Sequence, residues 1–232
     1  MSEQRERILS HACDLYLSDG LEGFSMRKLA RAVGVTAPAL YRHYESKERL
    51  LQDVMVQAYQ HFSQYLYRAL VGTTPRERMH LASQGYLDFA LEHPKLYDIL
   101  FATPDTSGLG ESSEELEALG CAVGQFWRDR VRECMDDGIL AEGDTESIST
   151  TMWAHAHGLL TLHRKGVLTR GGELSDEEFR SVFEASSIRL LSGLGTAEFV
   201  ADLASEGGMG TDDSAQTGGE AVPGAATVSV RE

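Results

Sequence analysis

Apolar residues recur along this chain at spacings of three and four, the period of a helix with one face turned inward. Residues 3–19 place Ile8, Ala12, Leu15 and Tyr16 on one side. From Ser46 to Leu70, Leu51, Val54, Met55, Ala58, Tyr59, Phe62 and Leu66 keep the same period, with Ser46 as N-cap. Thr74-Pro75 opens a further helix, with proline near its first position, that reaches His93-Pro94. Shorter and longer helices are predicted over Lys95–Phe101, Glu114–Asp137 and Thr145–Lys165, the last two stopping at Gly138 and Gly166. A final one opens at Ser175, carries Asp176-Glu177-Glu178 at its positive end and runs to Leu194. Thr103–Ser113 is rich in turn residues and reads as a loop. Nowhere does a strand period of two emerge, so the fold class is all-α.

Two short helical patterns lie between Ser25 and Arg49, separated by Gly34. Leu29, Ala30 and Val33 share one face of the first. Gly34 can adopt φ > 0 without steric cost and turns the chain sharply. Thr36 is a good N-cap for the second, and Pro38 fits its first turn. Small Ala30 suits two helices that cross closely. This is a helix-turn-helix, whose second helix can enter a DNA major groove. Thr36, Ala37, Pro38 and Ala39 are small enough to bring that helix near bases and phosphates. Tyr41, Arg42, His43, Tyr44 and Lys47 follow, all able to donate hydrogen bonds to phosphate oxygens. A helical hairpin in an ordinary core would demand a larger apolar face on the second helix, which offers mainly Leu40.

The same residues carry a family resemblance. Ile8-Leu-Ser-His-Ala-Cys-Asp-Leu-Tyr16, Gly20-Leu-Glu-Gly-Phe24-Ser25, Leu29-Ala30, Gly34-Val-Thr36 and Leu40-Tyr41-Arg-His-Tyr44-Glu-Ser-Lys47-Glu-Arg-Leu50-Leu51 resemble the DNA-binding domain of TetR-family transcriptional regulators. The match runs without a gap over about the first fifty residues, with Tyr44 standing where phenylalanine is commoner. The resemblance implies a three-helix DNA-binding domain followed by a divergent helical ligand-binding and dimerisation domain. The expected boundaries are 1–50, 51–198 and a disordered, acidic, glycine-rich tail over 199–232. From Ser205 onward the chain has no aromatic residue, six glycines and one basic residue, too little to offset its ordering entropy.

Charge sharpens this division. The 232 residues carry a net charge of −15. Residues 1–50 hold eight Lys/Arg against seven Asp/Glu, whereas the remainder holds 13 against 29. DNA affinity comes from charge placed at phosphates rather than from the chain average, so the acidic remainder should confine binding to one end. No apolar run is long enough to span a bilayer, and the N-terminus leads into an amphipathic helix rather than a signal peptide. Three scattered cysteines give no disulfide framework. The expected location is cytoplasmic.

The last two helices read as a dimer interface. Ile148, Met152, His155, Leu159 and Leu162 form one stripe on 145–165, and Trp153, Ala156 and Leu160 another. On 176–194, Phe179, Val182, Phe183, Leu190, Leu191 and Leu194 are apolar, with Ala185, Ser186 and Ser187 permitting close approach. A two-fold dimer doubles the phosphate contacts on a palindromic site, and the resemblance implies two helices from each subunit at the interface. A ligand pocket is expected between these helices and residues 46–137. Its candidate lining is Tyr59, Phe62, Tyr65, Tyr86, Phe89, Tyr97, Phe101, Phe126, Trp127, Trp153 and His157, suited to a small apolar or aromatic effector.

Other chemistries are weaker. His155 and His157 point to different faces of a helix, so they do not by themselves chelate a metal. No phosphate-cradling glycine loop, nucleophile motif or tight acid pair marks an enzyme, and no cofactor is expected. The alternative of another class is a helical adaptor that binds another protein and not DNA; a DNA-shift assay separates the two. The reading that follows is a DNA-binding transcriptional regulator, a repressor released from its operator by a small molecule. Ser25 and Arg27 touch phosphates, and Thr36, Ala37 and Pro38 face the major groove. Arg42 reaches a base or phosphate, Tyr41, His43 and Lys47 hold the backbone, and Tyr44 is counted among the DNA-binding residues as a further donor.

Overall fold

The computed structural model describes residues 3–101, 112–169 and 172–207. The expected loop at Thr103–Ser113 therefore lies almost wholly outside the described residues. All the regular structure described is helical. Its elements are α1 (Glu3–Gly23), α2 (Met26–Val33), α3 (Ala37–Tyr41), α4 (Lys47–Tyr67), α5 (Pro75–Glu92), α6 (Pro94–Phe101), α7 (Glu114–Asp136), α8 (Thr145–Arg164), α9 (Asp176–Leu194) and α10 (Ala197–Gly207). A 3₁₀ turn, Arg68–Val71, ends α4. The expected all-α class is the observed one.

Helix starts follow the capping chemistry written in the chain. Ser46 Oγ accepts from the Arg49 N–H at 3.1 Å, and Thr74 Oγ1 from the Glu77 N–H at 3.1 Å. Ser175 and Glu178 form a reciprocal capping box at α9. Within α1, Gly20 leaves the helix at φ 67°, and Phe24 N–H closes back on the Gly20 carbonyl at 3.1 Å. That turn buries Phe24 beneath α1.

Three apolar clusters hold the chain. The first joins Ile8, Leu9, Ala12 and Tyr16 of α1 to Leu29, Ala30 and Val33 of α2, Leu40 of α3, and Leu50, Leu51 and Val54 of α4. Ile99 of α6 is also buried there. The second gathers Phe62, Leu66, Tyr86, Phe89, Tyr97, Phe126, Leu160, Phe179 and Phe183 from α4 to α9. Where α4 and α5 cross, a Cβ on Gly85 would stand 2.5 Å from the Tyr65 carbonyl oxygen, so only glycine fits. The third cluster contains Met79, Val131, Cys134, Ile139, Leu140 and Phe199.

Phe199 corrects the expected extent of the tail. Residues 197–207 form α10, with Phe199 buried and Leu203 packed beside it. The local sequence carries few large side chains, and what secures the helix is tertiary. Thr196 N–H donates to the Ile139 carbonyl at 3.1 Å and its hydroxyl to the Gly138 carbonyl at 2.5 Å, while Ala141 N–H donates to the Leu194 carbonyl at 2.9 Å. The remainder of the expected tail, residues 208–232, lies outside the described residues.

Candidate DNA interface and effector cleft

Gly34 takes φ 79° and ψ 32° at the end of α2, and the Gly34 and Val35 N–H groups both return to the Ala30 carbonyl, at 3.0 and 2.9 Å. This closed turn sets α3 across α2. Met26, Leu29, Ala30, Val33 and Leu40 face inward and are buried. Arg7 of α1 donates to the Val33 carbonyl at 2.7 Å, which fixes the turn from behind. Sequence reasoning did not single out this arginine, because its partner is a backbone atom 26 residues away.

The opposite side of the motif is open. Arg27, Thr36, Pro38, Tyr41, Arg42 and His43 are exposed, and Ser25, Ala37 and Lys47 are half-buried. Lys28 and Arg31 are exposed as well and extend the basic surface. Lys28 is tied to Asp19 at 2.7 Å and to the Gly23 carbonyl at 3.0 Å. Ser25 and Thr36 occupy N-cap positions in extended geometry, yet neither side chain bonds the helix it precedes. The amide groups opening α2 thus have no side-chain cap, unlike those of α4, α5 and α9.

Tyr44 departs from the expectation. Its residue is 4 % exposed and belongs to the first core cluster. Burial raises its phenol above the ordinary value, with the nearby Arg5 opposing. The ring is a packing element, as the commoner phenylalanine would be, and not a phosphate donor on the surface.

A cavity of about 640 Å³ lies between α5 and α9. Trp127 and Cys134 of α7 and Met152, Trp153, His155 and Ala156 of α8 line it further, and Phe199 and Leu203 of α10 close one end. Its mouth carries Arg76, Glu77, His80 and Gln84 from α5 and Arg180, Glu184 and Ser187 from α9. The lining is mainly apolar, and its exposed residues include the apolar Trp153 and Ile188 beside these polar groups, the mixed character of a small-molecule site.

Only Tyr86, Trp127 and Trp153 of the expected lining residues border this cleft. Phe62, Phe89 and Phe126 are buried in the second core cluster, and Tyr97 with them. Phe101 and His157 pack within an aromatic group with Tyr97 and Trp153 beside the cleft but do not line it. Tyr59 and Tyr65 on α4 lie elsewhere; Tyr65 Oη donates to Glu92 at 2.5 Å. Aromatic residues serve core and pocket equally well, so composition could not separate the two. Leu191, expected at a dimer interface, also borders the cleft and packs on the third cluster.

A hydrogen-bonded chain leads from the cleft wall to α6. Tyr86 Oη and Tyr97 Oη are 3.0 Å apart, and Tyr97 Oη lies 2.6 Å from His157 Nδ1. Burial pushes the Tyr97 phenol up to about 12 and pulls the His157 imidazole below its ordinary value, so both are neutral at neutral pH. With His157 committed to Tyr97, the pair His155 and His157 is not arranged as a chelate. On the same short helix, Arg164 of α8 grips Asp98 through both guanidinium nitrogens at 2.5 and 2.6 Å. Lys95 pairs with Asp14 of α1 at 2.5 Å, and Ile99 enters the core of the first domain. α6, like α4, therefore touches both the DNA-binding end and the helices around the cleft.

Exposed apolar groups remain on the outer faces of α8 and α9. Leu162 is 44 % exposed and Val182 36 %. A Cβ placed on Gly158 or Gly193 would meet nothing within 4 Å. No described helix is long and apolar enough to cross a membrane.

Comparison with known proteins agrees with the geometry. Residues 8–54 match the model for bacterial regulatory proteins of the tetR family, and residues 79–185 match that for the Tetracyclin repressor-like C-terminal domain. The chain is 30% identical over 102 residues to the nucleoid occlusion factor SlmA of Mannheimia succiniciproducens, covering 43% of this chain and 47% of that protein. It is 28% identical over 100 residues to the HTH-type transcriptional activator FasR of Mycolicibacterium smegmatis, covering 43% and 46%. The chain thus spans about half the length of the curated relatives it matches. The crystal structure of AibR in complex with isovaleryl coenzyme A and operator DNA superposes with a TM-score of 0.64 at 21% identity, over 83% of this chain and 98% of that one. That likeness is one of fold. A helix-turn-helix built on these residues, the two family models in their order, and the shared helical architecture all agree: the chain belongs to the tetR family of bacterial regulatory proteins.

Proposed function

We propose that the chain acts as a ligand-responsive repressor, bound as a homodimer to a palindromic operator and released by a small molecule. The observation that carries this reading is the position of α6. It is ion-paired to α1 through Lys95–Asp14 and to α8 through Asp98–Arg164. The first fifty residues form the DNA-binding unit, and the helices from α4 onward the sensing and dimerisation unit. Ser25 and Arg27 hold phosphates at the start of α2. Thr36, Ala37 and Pro38 meet the major groove, Arg42 reaches a base or a phosphate, and Tyr41, His43 and Lys47 hold the backbone. The outer faces of α8 and α9 join two protomers, with Leu162 and Val182 covered and Gly158 and Gly193 at the closest approach.

A ligand between α5 and α9 presses on Tyr86 and Trp153, and through Tyr97 displaces α6. That shift changes the separation of the two α3 helices from the spacing the operator requires. The size of the response is bounded by the ligand's differential affinity for the two dimer states. AibR, crystallised with both an acyl thioester and operator DNA, offers a precedent for two ligands on one such chain. The test is a genome-wide footprint of bound DNA, followed by a mobility-shift titration on the sites found. Two-fold symmetric sites protected by a dimer support the proposal. Binding to no DNA, or activation of transcription from the bound sites, contradicts it.

A further inference from the structure

The short helix α3 has little of its own to hold it. It is five residues long, and Leu40 is its one buried side chain. A helix of so few residues takes its stability from packing rather than from its own hydrogen bonds. Anchored at a single point it can tilt, so its direction depends on the segments before and after it. The segment after it is held by the core: Tyr44 is buried, and the His43 and Tyr44 N–H groups return to the Leu40 carbonyl at 2.9 and 3.0 Å. The segment before it is the turn at Gly34. Thr36, where that turn enters α3, is exposed and its side chain caps nothing.

The last carbonyls of a helix have no partner within it. At the end of α2 the Gly34 and Val35 N–H groups take the Ala30 carbonyl. The Val33 carbonyl lies further along, and Arg7 Nη2 donates to it at 2.7 Å. The guanidinium also brings a positive charge to the negative end of α2, where it is favoured. Arg7 is itself firmly based. Ile8 and Leu9, the next two residues of α1, are buried in the first cluster. Arg5, two residues before, pairs with Asp53 of α4 at 3.0 Å. α1 is thus fixed against the domain on both sides of Arg7, and the bond to Val33 carries that fixed frame to the start of α3.

We infer that Arg7 is a positioning residue for DNA recognition: by holding the Val33 carbonyl from α1 it sets the direction in which α3 leaves the turn, and it serves sequence-specific binding without touching DNA. The inference rests on the reading of α3 as the helix that meets the major groove. Base edges are read only by groups in register with them, whereas attraction to phosphates tolerates a shifted helix. Loss of Arg7 therefore falls on specific binding.

The test uses the full-length protein and two duplexes of equal length, the strongest site recovered by the footprint and a random sequence. Arg7→Ala should weaken the first about tenfold and leave the second unchanged, with both salt slopes within about half a unit of wild type. A second readout needs no DNA. Amide exchange over residues 33–41 should quicken several-fold, while peptides from α1 and α4 keep the wild-type rate. Because the side chain is exposed, melting should fall by no more than about 4 °C. Arg7→Lys keeps a charged donor on a long stem and should restore most of the operator affinity and the slow exchange. Equal losses on both duplexes, with the slope lower by about 0.9, would make Arg7 a phosphate contact and overturn the inference. So would unchanged exchange over 33–41, or exchange that rises across the whole domain together with a large drop in melting temperature. A wild type that prefers neither duplex is the failure of the regulator reading and removes this inference with it; failure of the inference alone needs a wild type that does prefer its site.

Discussion

Leu40 and Tyr41 are neighbours in α3 with opposite exposures: the first is fully buried and the second 53 % exposed. Their substitutions should therefore separate stability from binding. Leu40→Ala removes a side chain on which α1, α2 and α4 converge and should cost about 2–5 kcal/mol, seen as a lower melting temperature. Tyr41→Phe should leave melting unchanged and weaken operator affinity equally for all sequences, because phosphate contacts position without specifying. Lys47→Ala should do the same and lower the salt slope by about one unit per half-site. Operator titrations at several salt concentrations check both; a changed base preference with an unchanged slope would refute the assignment. Tyr44 illustrates what sequence reasoning could not separate. A tyrosine one turn beyond the motif is equally suited to a phosphate and to a core, and only its 4 % exposure decides.

At the scale of elements, two helix contacts invite test. Gly85 lies where α4 and α5 meet, and a Cβ there would sit 2.5 Å from a backbone oxygen that cannot swing aside. Gly85→Ala should destabilise by about 1–3 kcal/mol through strain, measured by denaturant titration, even though alanine is the better helix former. α6 gives the second. Asp98→Asn removes the charge that Arg164 grips with two nitrogens. The pair is partly exposed, so the loss of stability should stay within about 1 kcal/mol. If α6 carries the response, the effector's influence on operator affinity should fall by a larger factor, because this contact ties α8 to the helix whose Lys95 and Ile99 reach the first domain. Equal coupling in variant and wild type would remove α6 from the route.

The whole molecule presents a division of charge and of exposed apolar surface. Residues 1–50 are nearly neutral, and the strongly acidic remainder should confine DNA to that end. Val182→Asp and Leu162→Asp place a charge on the outer faces of α9 and α8, away from the buried clusters. Each should give a folded monomer by sedimentation, with most operator affinity lost because one half-site supplies half the phosphate contacts. A dimer that persists in both would move the interface elsewhere. Ending the chain after residue 207 should leave melting and operator affinity unchanged. Ending it after residue 196 removes buried Phe199 and its neighbour Leu203, and should lower the melting temperature by several degrees.

The helix-turn-helix was legible from the chain because every signal in it is local. Gly34 supplies the left-handed turn, Ser46 caps the following α4 by accepting from the N–H three residues on, and the apolar period of Leu29, Ala30 and Val33 fixes the buried face. Local chemistry of this kind acts over one helical turn and needs no knowledge of the rest. The cleft was not legible in the same way. Phe62, Phe89 and Phe126 became core while Tyr86, Trp127 and Trp153 became wall. The difference lies in how α5 and α9 stand apart, which no spacing along the chain records. α10 was missed for the same reason: Phe199 finds its place only because residues 138–141 bond back to the end of α9 and to Thr196. The sequence by itself determined the helices from α1 to α9, though not α10, and which face of the first domain is open. Tertiary structure alone decided which aromatic rings are filled around and which are left lining a space, because that depends on the distance between elements far apart in the chain.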